Sequence, residues 1–298
     1  MTIECVPNFS EGRDRATIAA LEKAVRDVPG ALLLNSTSDV DHNRTVLTFA
    51  GEPAAVAEAA FAAVAQAVAR IDLAKHSGVH PRLGAADVVP FVPMEGATLE
   101  DCATLAHAAG QRIWSDLGVP VYFYEAAALR PECSRLENVR KAAAESSVTQ
   151  FPPDIGEGRH PTAGYCTLGA RGFLVAWNVL FESDDLATAR AIARAIRESG
   201  GGLPAVKAIG LPLPSRGRVQ VSINLVDFRR TPLHVVFDAV AALCREQDIR
   251  IEGSELIGMI PQAALYASAG HDLRWLNMRP QSVLESSLRM ARRGQFSA

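Results

Sequence analysis

The sequence lacks the features that mark several classes of protein. Its five cysteines are scattered, odd in number and without a C-x-x-C pair, which predicts reduced thiols. No hydrophobic run is long enough for a membrane span, and the chain does not begin with a secretory leader. With a net charge of -3, it has no clustered basic face to neutralise phosphates. These absences predict a cytoplasmic protein that binds neither a membrane nor nucleic acid.

What the sequence does contain is enough apolar residues for large cores, and two halves with the same order of elements. Hydrophobic residues make up 48% of 298 positions, which suits one large domain or two smaller ones. Periodicity in each half predicts the order β-α-β-β-α-β. The first half has strands over 2–6, 31–34, 45–49 and from 88, and helices over 13–28 and 54–71. The second has strands over 173–180, 206–211, 219–228 and 256–260, and helices over 186–198 and 233–247.

Additional elements and a change of composition separate these halves. A helix over 98–117, with a capping-box pattern at Thr98 and Asp101, leads to a strand over 119–124. Residues 130–171 are rich in Pro, Gly, Glu and Arg, contain a charged helix-like piece over 135–145, and are where we place the domain junction. We therefore expect an α+β fold of two tandem ferredoxin-like (split βαβ) subdomains, residues 1–170 and 171–298. Their sheets would flank a substrate cleft, a favoured place for small-molecule sites.

Two polar segments follow predicted strands of the first half. In CVPNFSEG, Asn8 or Ser10 would cap the next helix, or else Asn8 and Glu11 would present their side chains beside the sheet edge. In DHNRT, the side chains would form the local hydrogen bonds of a hairpin turn. Alternatively, Asn43 and Arg44 would bind a carboxylate.

The segment Lys75 to Asp87, KHSGVHPRLGAAD, is named here the histidine loop. Its glycines and Pro81 argue against a regular element, so titratable side chains lie on an ordered loop. His76 and His80 are four residues apart, which on a helix would suit a metal, but Gly78 disfavours that helix and no H-E-x-x-H pattern is present. A purely structural histidine remains an alternative. General acid/base work by His80 is favoured because imidazole titrates near neutral pH.

A second glycine-rich segment, Gly156 to Gly164, is named here the glycine loop. It would be a flexible linker between domains, or a place where the backbone approaches a ligand closely, with Arg159 and His160 as donors.

Several stretches together resemble one family, glutamate formiminotransferase. They are ECVPNFSEG (4–12), DHNRTVLTFAG (41–51), HPRLGAADVVPFVP (80–93), LGVPVYFYEAA (117–127), HPTAG (160–164) with GAR (169–171), VQVSINLVDF (219–228) and GSELIGMIP (253–261). The resemblance runs over almost the whole chain. In one departure, Leu180 stands where the family often has asparagine.

The resemblance implies transfer of a formimino group from N-formimino-L-glutamate to N5 of tetrahydrofolate, giving L-glutamate and 5-formiminotetrahydrofolate. It implies that His80 is catalytic, that tetrahydrofolate is a co-substrate, and that the enzyme is a homodimer without a metal. The implied folate-contacting residues are Gly156, Glu157, Gly158, Arg159, His160, Pro161, Thr162, Ala163 and Gly164. Animal relatives carry an additional cyclodeaminase domain. Nothing in this sequence matches such a domain, so a separate cyclodeaminase would act downstream.

The chemistry of this reaction fits the residues. N5 loses a proton as it attacks the formimino carbon, and the glutamate nitrogen gains one as it leaves, so a single imidazole can serve both steps. Both substrates carry carboxylates, for which Arg44 and Arg82 are candidate partners, with Asn8 and Asn43 as further substrate-binding candidates. Two other functions remain open. One is an enzyme on the same scaffold that moves or cyclises the formyl group of 5-formyltetrahydrofolate, and the other is a folate-binding protein without turnover.

Overall fold

A computed structural model of the chain describes residues 1–145 and 149–294. The chain divides into two compact units, one from Met1 to Gly172 and the other beginning at Phe173. Each unit has helices packed on a sheet around its own hydrophobic core. The expected α+β fold with two tandem subdomains is therefore confirmed.

The first unit contains a split βαβ arrangement followed by an extension. Its elements are β1 (Ile3–Cys5), β2 (Asn8–Phe9), α1 (Arg15–Arg26), β3 (Ala31–Asp39), β4 (Arg44–Gly51), α2 (Pro53–Arg70), β5 (Ala86–Pro93), α3 (Leu99–Leu117), β6 (Val121–Glu125), α4 (Leu136–Glu145) and β7 (Cys166–Ala170). The short strands β1 and β2 lie end to end between β4 and β5, and β3 pairs with the other edge of β4. All of these pairings are antiparallel, as the ferredoxin-like arrangement requires.

Strand β7 extends this sheet, and sequence patterning does not reveal it. It lies between β5 and β6 and runs parallel to both. The segment 130–171, in which we placed the domain junction, therefore belongs to the first unit, to which it supplies α4 and β7. Gly169 explains the weak pattern. A Cβ at this position would lie 2.5 Å from the ring of Tyr124, so close packing in β7 requires a residue of low strand propensity.

The second unit repeats the split βαβ order in a simpler form. Its elements are β8 (Val175–Phe181), α5 (Leu186–Ile196), β9 (Val206–Leu213), β10 (Arg218–Leu225), α6 (Leu233–Glu246), β11 (Ile251–Ile257), α7 (Gln262–Tyr266) and α8 (Leu284–Arg292). The order in its antiparallel sheet is β11-β8-β10-β9. The last strand begins earlier than its apolar run at 256–260 predicts, because the polar and glycine residues at its start pair with β8 around a bulge.

Two helices of the first unit begin at side-chain caps. Helix α3 begins with the expected capping box, in which Thr98 and Asp101 exchange hydrogen bonds. Helix α1, by contrast, is capped by Asp14, whose carboxylate accepts from the backbone N–H of Ala16 at 3.0 Å. The prediction that Asn8 or Ser10 caps this helix is wrong. Instead, Nδ2 of Asn8 donates to the carbonyl oxygen of Val6 at 2.9 Å, and Oγ of Ser10 donates to that of Gly84, in the histidine loop, at 2.7 Å.

Two further observations concern the cysteines and the helices. All five cysteines are buried and free. No helix in the described part of the chain is both long and apolar enough to cross a bilayer.

Candidate active site

Asn43 joins three segments of the first unit at one point. Its backbone is left-handed, with φ of 47°, which asparagine tolerates better than most residues. Its Oδ1 accepts from the N–H of Gly12 at 2.8 Å, and its Nδ2 donates to the carbonyl oxygen of Ser77 at 3.0 Å. The N–H of Val79 donates to the carbonyl oxygen of Asp41 at 3.0 Å as well. The DHNRT turn and the histidine loop are therefore built as one structure.

Within the histidine loop, both ring nitrogens of His76 are occupied. Its Nε2 lies 3.1 Å from the carbonyl oxygen of Asn43, which can only accept, so Nε2 carries the proton. Its Nδ1 accepts from Nη1 of Arg82. Burial, followed by the charge of Arg82, lowers the pKa of His76. The ring therefore serves as a neutral support of the loop.

His80 differs, because only one of its nitrogens is bound by the loop itself. Nδ1 lies 2.7 Å from the carbonyl oxygen of Pro81 and must donate to it, so in the neutral ring Nε2 holds the free electron pair. The side chain is half-buried. Its ring centroid lies 5.9 Å from that of His42. His80 thus presents an oriented imidazole whose basic nitrogen is Nε2.

The surroundings of His80 favour its neutral form. Enclosure by protein is the largest cause that lowers its pKa well below the usual value, and the positive charges of Arg44 and Arg140 add to it. The carboxylate of Asp87 acts in the opposite direction but does not cancel them. A neutral imidazole can accept a proton, as a general base must.

The two candidate arginines are held by protein groups. Arg44 is 9% exposed, and its Nε donates to Oδ1 of Asn8 at 3.0 Å while its Nη1 donates to Oδ2 of Asp87 at 2.7 Å. Nη2 of Arg82 donates to the carbonyl oxygen of Gly78 at 2.8 Å and to that of His80. Asn8 and Asp87 therefore fix the guanidinium group of Arg44, and carbonyl oxygens of the histidine loop fix that of Arg82.

Asp87 reaches Arg44 because of an irregularity in strand β5. Asn8 pairs with Val88 and the next residue, Phe9, pairs with Ala86, so Asp87 is the extra residue of a β-bulge. Bulges turn a side chain away from the strict alternation of a strand and are frequent beside active sites. Here the bulge brings Asp87 to the side of the sheet that carries Asn8 and Arg44.

The glycine loop ends against the histidine loop. The N–H of Ala85 donates to the carbonyl oxygen of Ala163 at 2.9 Å, and that of Tyr165 donates to the carbonyl oxygen of Leu83 at 3.1 Å. A Cβ on Gly164, whose φ is +70°, would lie 2.3 Å from the carbonyl oxygen of Leu83. The flexible-linker alternative for the glycine loop is therefore wrong, because its end is paired with the first unit.

The rest of the glycine loop is also ordered by specific contacts. A Cβ on Gly156 would lie 2.5 Å from the indole of Trp114 in α3. Nδ1 of His160 accepts from the N–H of Ala163 at 2.9 Å, which closes the turn over 160–164. The guanidinium carbon of Arg159 lies 5.9 Å from the ring centroid of Tyr165. The other members of this candidate set, Glu157, Gly158, Pro161 and Thr162, lie between these contacts.

Sequence reasoning did not assign a role to three side chains of this site, namely His42, Asp87 and Arg140. Asp87 has a signal, since it is a charged residue at the start of an otherwise apolar strand, where burial requires partners. Arg140 has no such signal in the sequence, because its partner Asp87 is 53 positions away. No cluster of three His, Cys, Asp or Glu side chains suited to a metal ion occurs within residues 1–145 and 149–294.

Comparison with known proteins agrees with the two-unit architecture. The model of the formiminotransferase domain, N-terminal subdomain, matches residues 2–171, and that of the formiminotransferase domain matches residues 176–288. Glutamate formimidoyltransferase of Streptococcus pyogenes is 41% identical over 91% of this chain and 93% of its own length. That of Thermoplasma acidophilum is 36% identical over 97% and 98%. Mouse formimidoyltransferase-cyclodeaminase is 39% identical over 90% of this chain but only 51% of the relative. The chain belongs to the formiminotransferase family.

Proposed function

We propose that this chain transfers the formimino group from N-formimino-L-glutamate to N5 of tetrahydrofolate, releasing L-glutamate and 5-formiminotetrahydrofolate. The observation that carries this assignment is His80, whose Nδ1–H is bound to Pro81 and whose lowered pKa leaves Nε2 as a base. Two relatives named glutamate formimidoyltransferase, matching over most of the chain, support the same reaction.

In this mechanism, Nε2 of His80 accepts the proton from N5 as N5 attacks the formimino carbon. The imidazolium then returns that proton to the glutamate nitrogen as the carbon–nitrogen bond breaks. The charges of Arg44 and Arg140 favour this return, because they disfavour a charged ring. Positioned proton transfer of this kind contributes ~100- to 10,000-fold to the rate, and correct placement of both substrates contributes more.

The neighbouring segments bind the substrates in this proposal. The glycine loop, Gly156 to Gly164, contacts folate, and its pairing with residues 83–85 sets the distance between folate and His80. Asn8, Asn43, Arg44 and Arg82 form the glutamate side of the site. Arg44 and Arg82 each carry several N–H donors, so the bonds described above leave some of them to attract substrate carboxylates. No step of this mechanism requires a metal ion.

We also propose that both loops belong to an N-terminal subdomain, residues 1–170, and that residues 171–298 form the C-terminal one. The reduced thiols support a cytoplasmic location, and the family resemblance supports a homodimer. Light scattering on the purified protein measures the oligomeric state directly.

A donor assay tests the proposed reaction. Purified protein should release glutamate from formiminoglutamate stoichiometrically with 5-formiminotetrahydrofolate, and ammonia should stay at the spontaneous rate until a cyclodeaminase is added. If turnover required 5-formyltetrahydrofolate instead, the alternative formyl-handling activity would be correct. Folate binding without turnover of either donor would indicate the non-catalytic alternative.

A further inference from the structure

Asp87 is a completely buried carboxylate with three donors. Its Oδ1 accepts from the backbone N–H of Leu83 at 2.6 Å. Its Oδ2 accepts from Nη1 of Arg44 at 2.7 Å and from Nη2 of Arg140 at 2.6 Å. Burial alone would raise its pKa, but the charges of Arg140 and Arg44, together with the hydrogen bonds from Leu83 and Arg44, lower the pKa. Asp87 therefore stays ionised and ties two guanidinium groups to the end of the histidine loop.

Arg140 reaches this carboxylate from helix α4, which contains none of the short sequence motifs that first indicated the family. The preceding residue, Val139, is fully buried and belongs to an apolar cluster that also includes Leu83 and Tyr165. This packing holds α4 over the place where the histidine loop meets the end of the glycine loop. The Arg140 side chain is 23% exposed, so it covers the buried carboxylate from the outside.

We propose that Arg140 is a positioning residue for the transfer reaction: it fixes Asp87 against Leu83, and it supplies one of the two positive charges that act on the imidazole of His80. This inference rests on the proposed function for its catalytic meaning. Arg44 alone cannot provide the same arrangement, because its guanidinium is also bound to Asn8 and lies on the sheet side of Asp87. Arg140 completes the pair from the helix side.

The charges around His80 determine what removal of Arg140 would do. Arg44 and Arg140 oppose a proton on the ring, while Asp87 favours one. Arg82 binds the carbonyl oxygen of His80, and the ring of His42 lies beside it. Loss of the Arg140 charge leaves Asp87 balanced by one arginine instead of two. The pKa of His80 should then rise, and a larger share of the enzyme would hold a protonated, inactive imidazole at a given acidic pH.

The test compares Arg140→Gln and Arg140→Lys with Lys141→Gln. The last variant removes the same charge from an exposed neighbouring position of α4. In Arg140→Gln, the acidic limb of kcat/KM against pH should move upward by on the order of 0.5 to 1 pH unit, the effect of one partly exposed charge. Arg140→Lys should keep the limb but lower kcat, because lysine restores the charge without the planar geometry. Lys141→Gln should match wild type in both.

An NMR titration of labelled histidines, with His80 assigned from a His80→Ala spectrum, reads the same shift without turnover. An unchanged His80 titration in folded Arg140→Gln, or an equal shift in Lys141→Gln, would overturn the inference. If Arg140→Gln does not fold, Arg140→Lys decides, and a wild-type kcat in that variant rejects the positioning role. Absence of turnover in wild type would instead reject the proposed function.

Discussion

The imidazole of His42 lies beside that of His80, with ring centroids 5.9 Å apart and planes tilted by 52°. His42 is 7% exposed, and its Nδ1 lies 2.7 Å from Oδ1 of Asp39, so the ring is held by a carboxylate at the end of β3. Partial burial on its own would raise the pKa of Asp39, but the hydrogen bonds and charge interaction with His42, with a backbone hydrogen bond from Asp41, lower that pKa. The hairpin turn after β3 thus provides one wall of the site.

Replacement of His80 should separate catalysis from folding. His80→Ala should keep a wild-type melting temperature and folate affinity, because the half-buried ring bonds only to the adjacent Pro81 within the loop. Its kcat should fall by ~100- to 10,000-fold with loss of the acid/base group. His76→Ala is the matched control and should be milder, since His76 supports the loop through Arg82 and Asn43. Near wild-type turnover of His80→Ala would contradict the proposed role.

The pH dependence of the reaction should reflect the neutral form of His80. Its pKa lies well below 6.5, so the free base persists as the pH falls through 6.5, and kcat/KM should decline only at lower pH. The lowered pKa of His80 should also make the folded protein less stable at acidic pH. The unfolded chain binds a proton at this histidine near 6.5 while the folded one does not, so His80 reduces the free energy of unfolding below that pH. A kcat/KM profile with its acidic limb at or above 6.5 would argue against this environment.

Removal of the Asp87 charge should be strongly destabilising. Asp87→Asn leaves two guanidinium groups around a buried site without their anion, a change that costs about 3–5 kcal/mol in the free energy of unfolding. Asp27→Asn breaks an exposed pair with Lys23 and should change stability little. Urea denaturation measures both. Because the pKa of Asp87 is lowered by folding, its contribution is present above the unfolded value of about 3.9 and is lost as the pH falls below it. Equal costs for the two variants would disprove the buried ion cluster.

Two glycines of the glycine loop allow a test of its close packing against the histidine loop. Gly164 and Gly158 have φ of +70° and +69°, so alanine is strained at either position. Only at Gly164 would the new Cβ meet the chain, 2.3 Å from the carbonyl oxygen of Leu83, whereas Gly158 faces open space. Gly164→Ala should therefore raise the KM for folate far more than that for the glutamate donor, and far more than Gly158→Ala does. Initial-rate kinetics with each substrate varied in turn would show this, and equal effects of the two variants would contradict it.

Regular elements with a clear period were predictable from the sequence, and irregular contacts were not. Helix α5 follows its apolar period closely, because Ala189, Ile192, Ala193 and Ile196 all face one core. Strand β7 was missed, since Gly169 in it serves contact with Tyr124 and weakens the strand pattern.

The same division holds for the site. His80 was recognisable because a titratable residue on a loop fixed by glycine and proline has few structural uses. The contributions of His42 and Arg140 depend on where distant segments meet, which local composition does not encode. Asn43 was predictable only in part. Its turn was expected from the local sequence, but its hydrogen bonds to Gly12 and Ser77 arise only from the tertiary fold.

Because of the bulge at Asp87, the structure of the site depends on the number of residues in strand β5. Ala86 before it and Val89 and Phe91 after it all belong to the core, although an uninterrupted strand would place Ala86 on the opposite face from the other two. A chain lacking residue 87 would therefore have a more regular strand, with its core-facing residues in phase. It would also lack the acceptor for Arg44 and Arg140. A single-residue deletion here would yield a relative that keeps the sheet but has lost the means to organise its histidine loop.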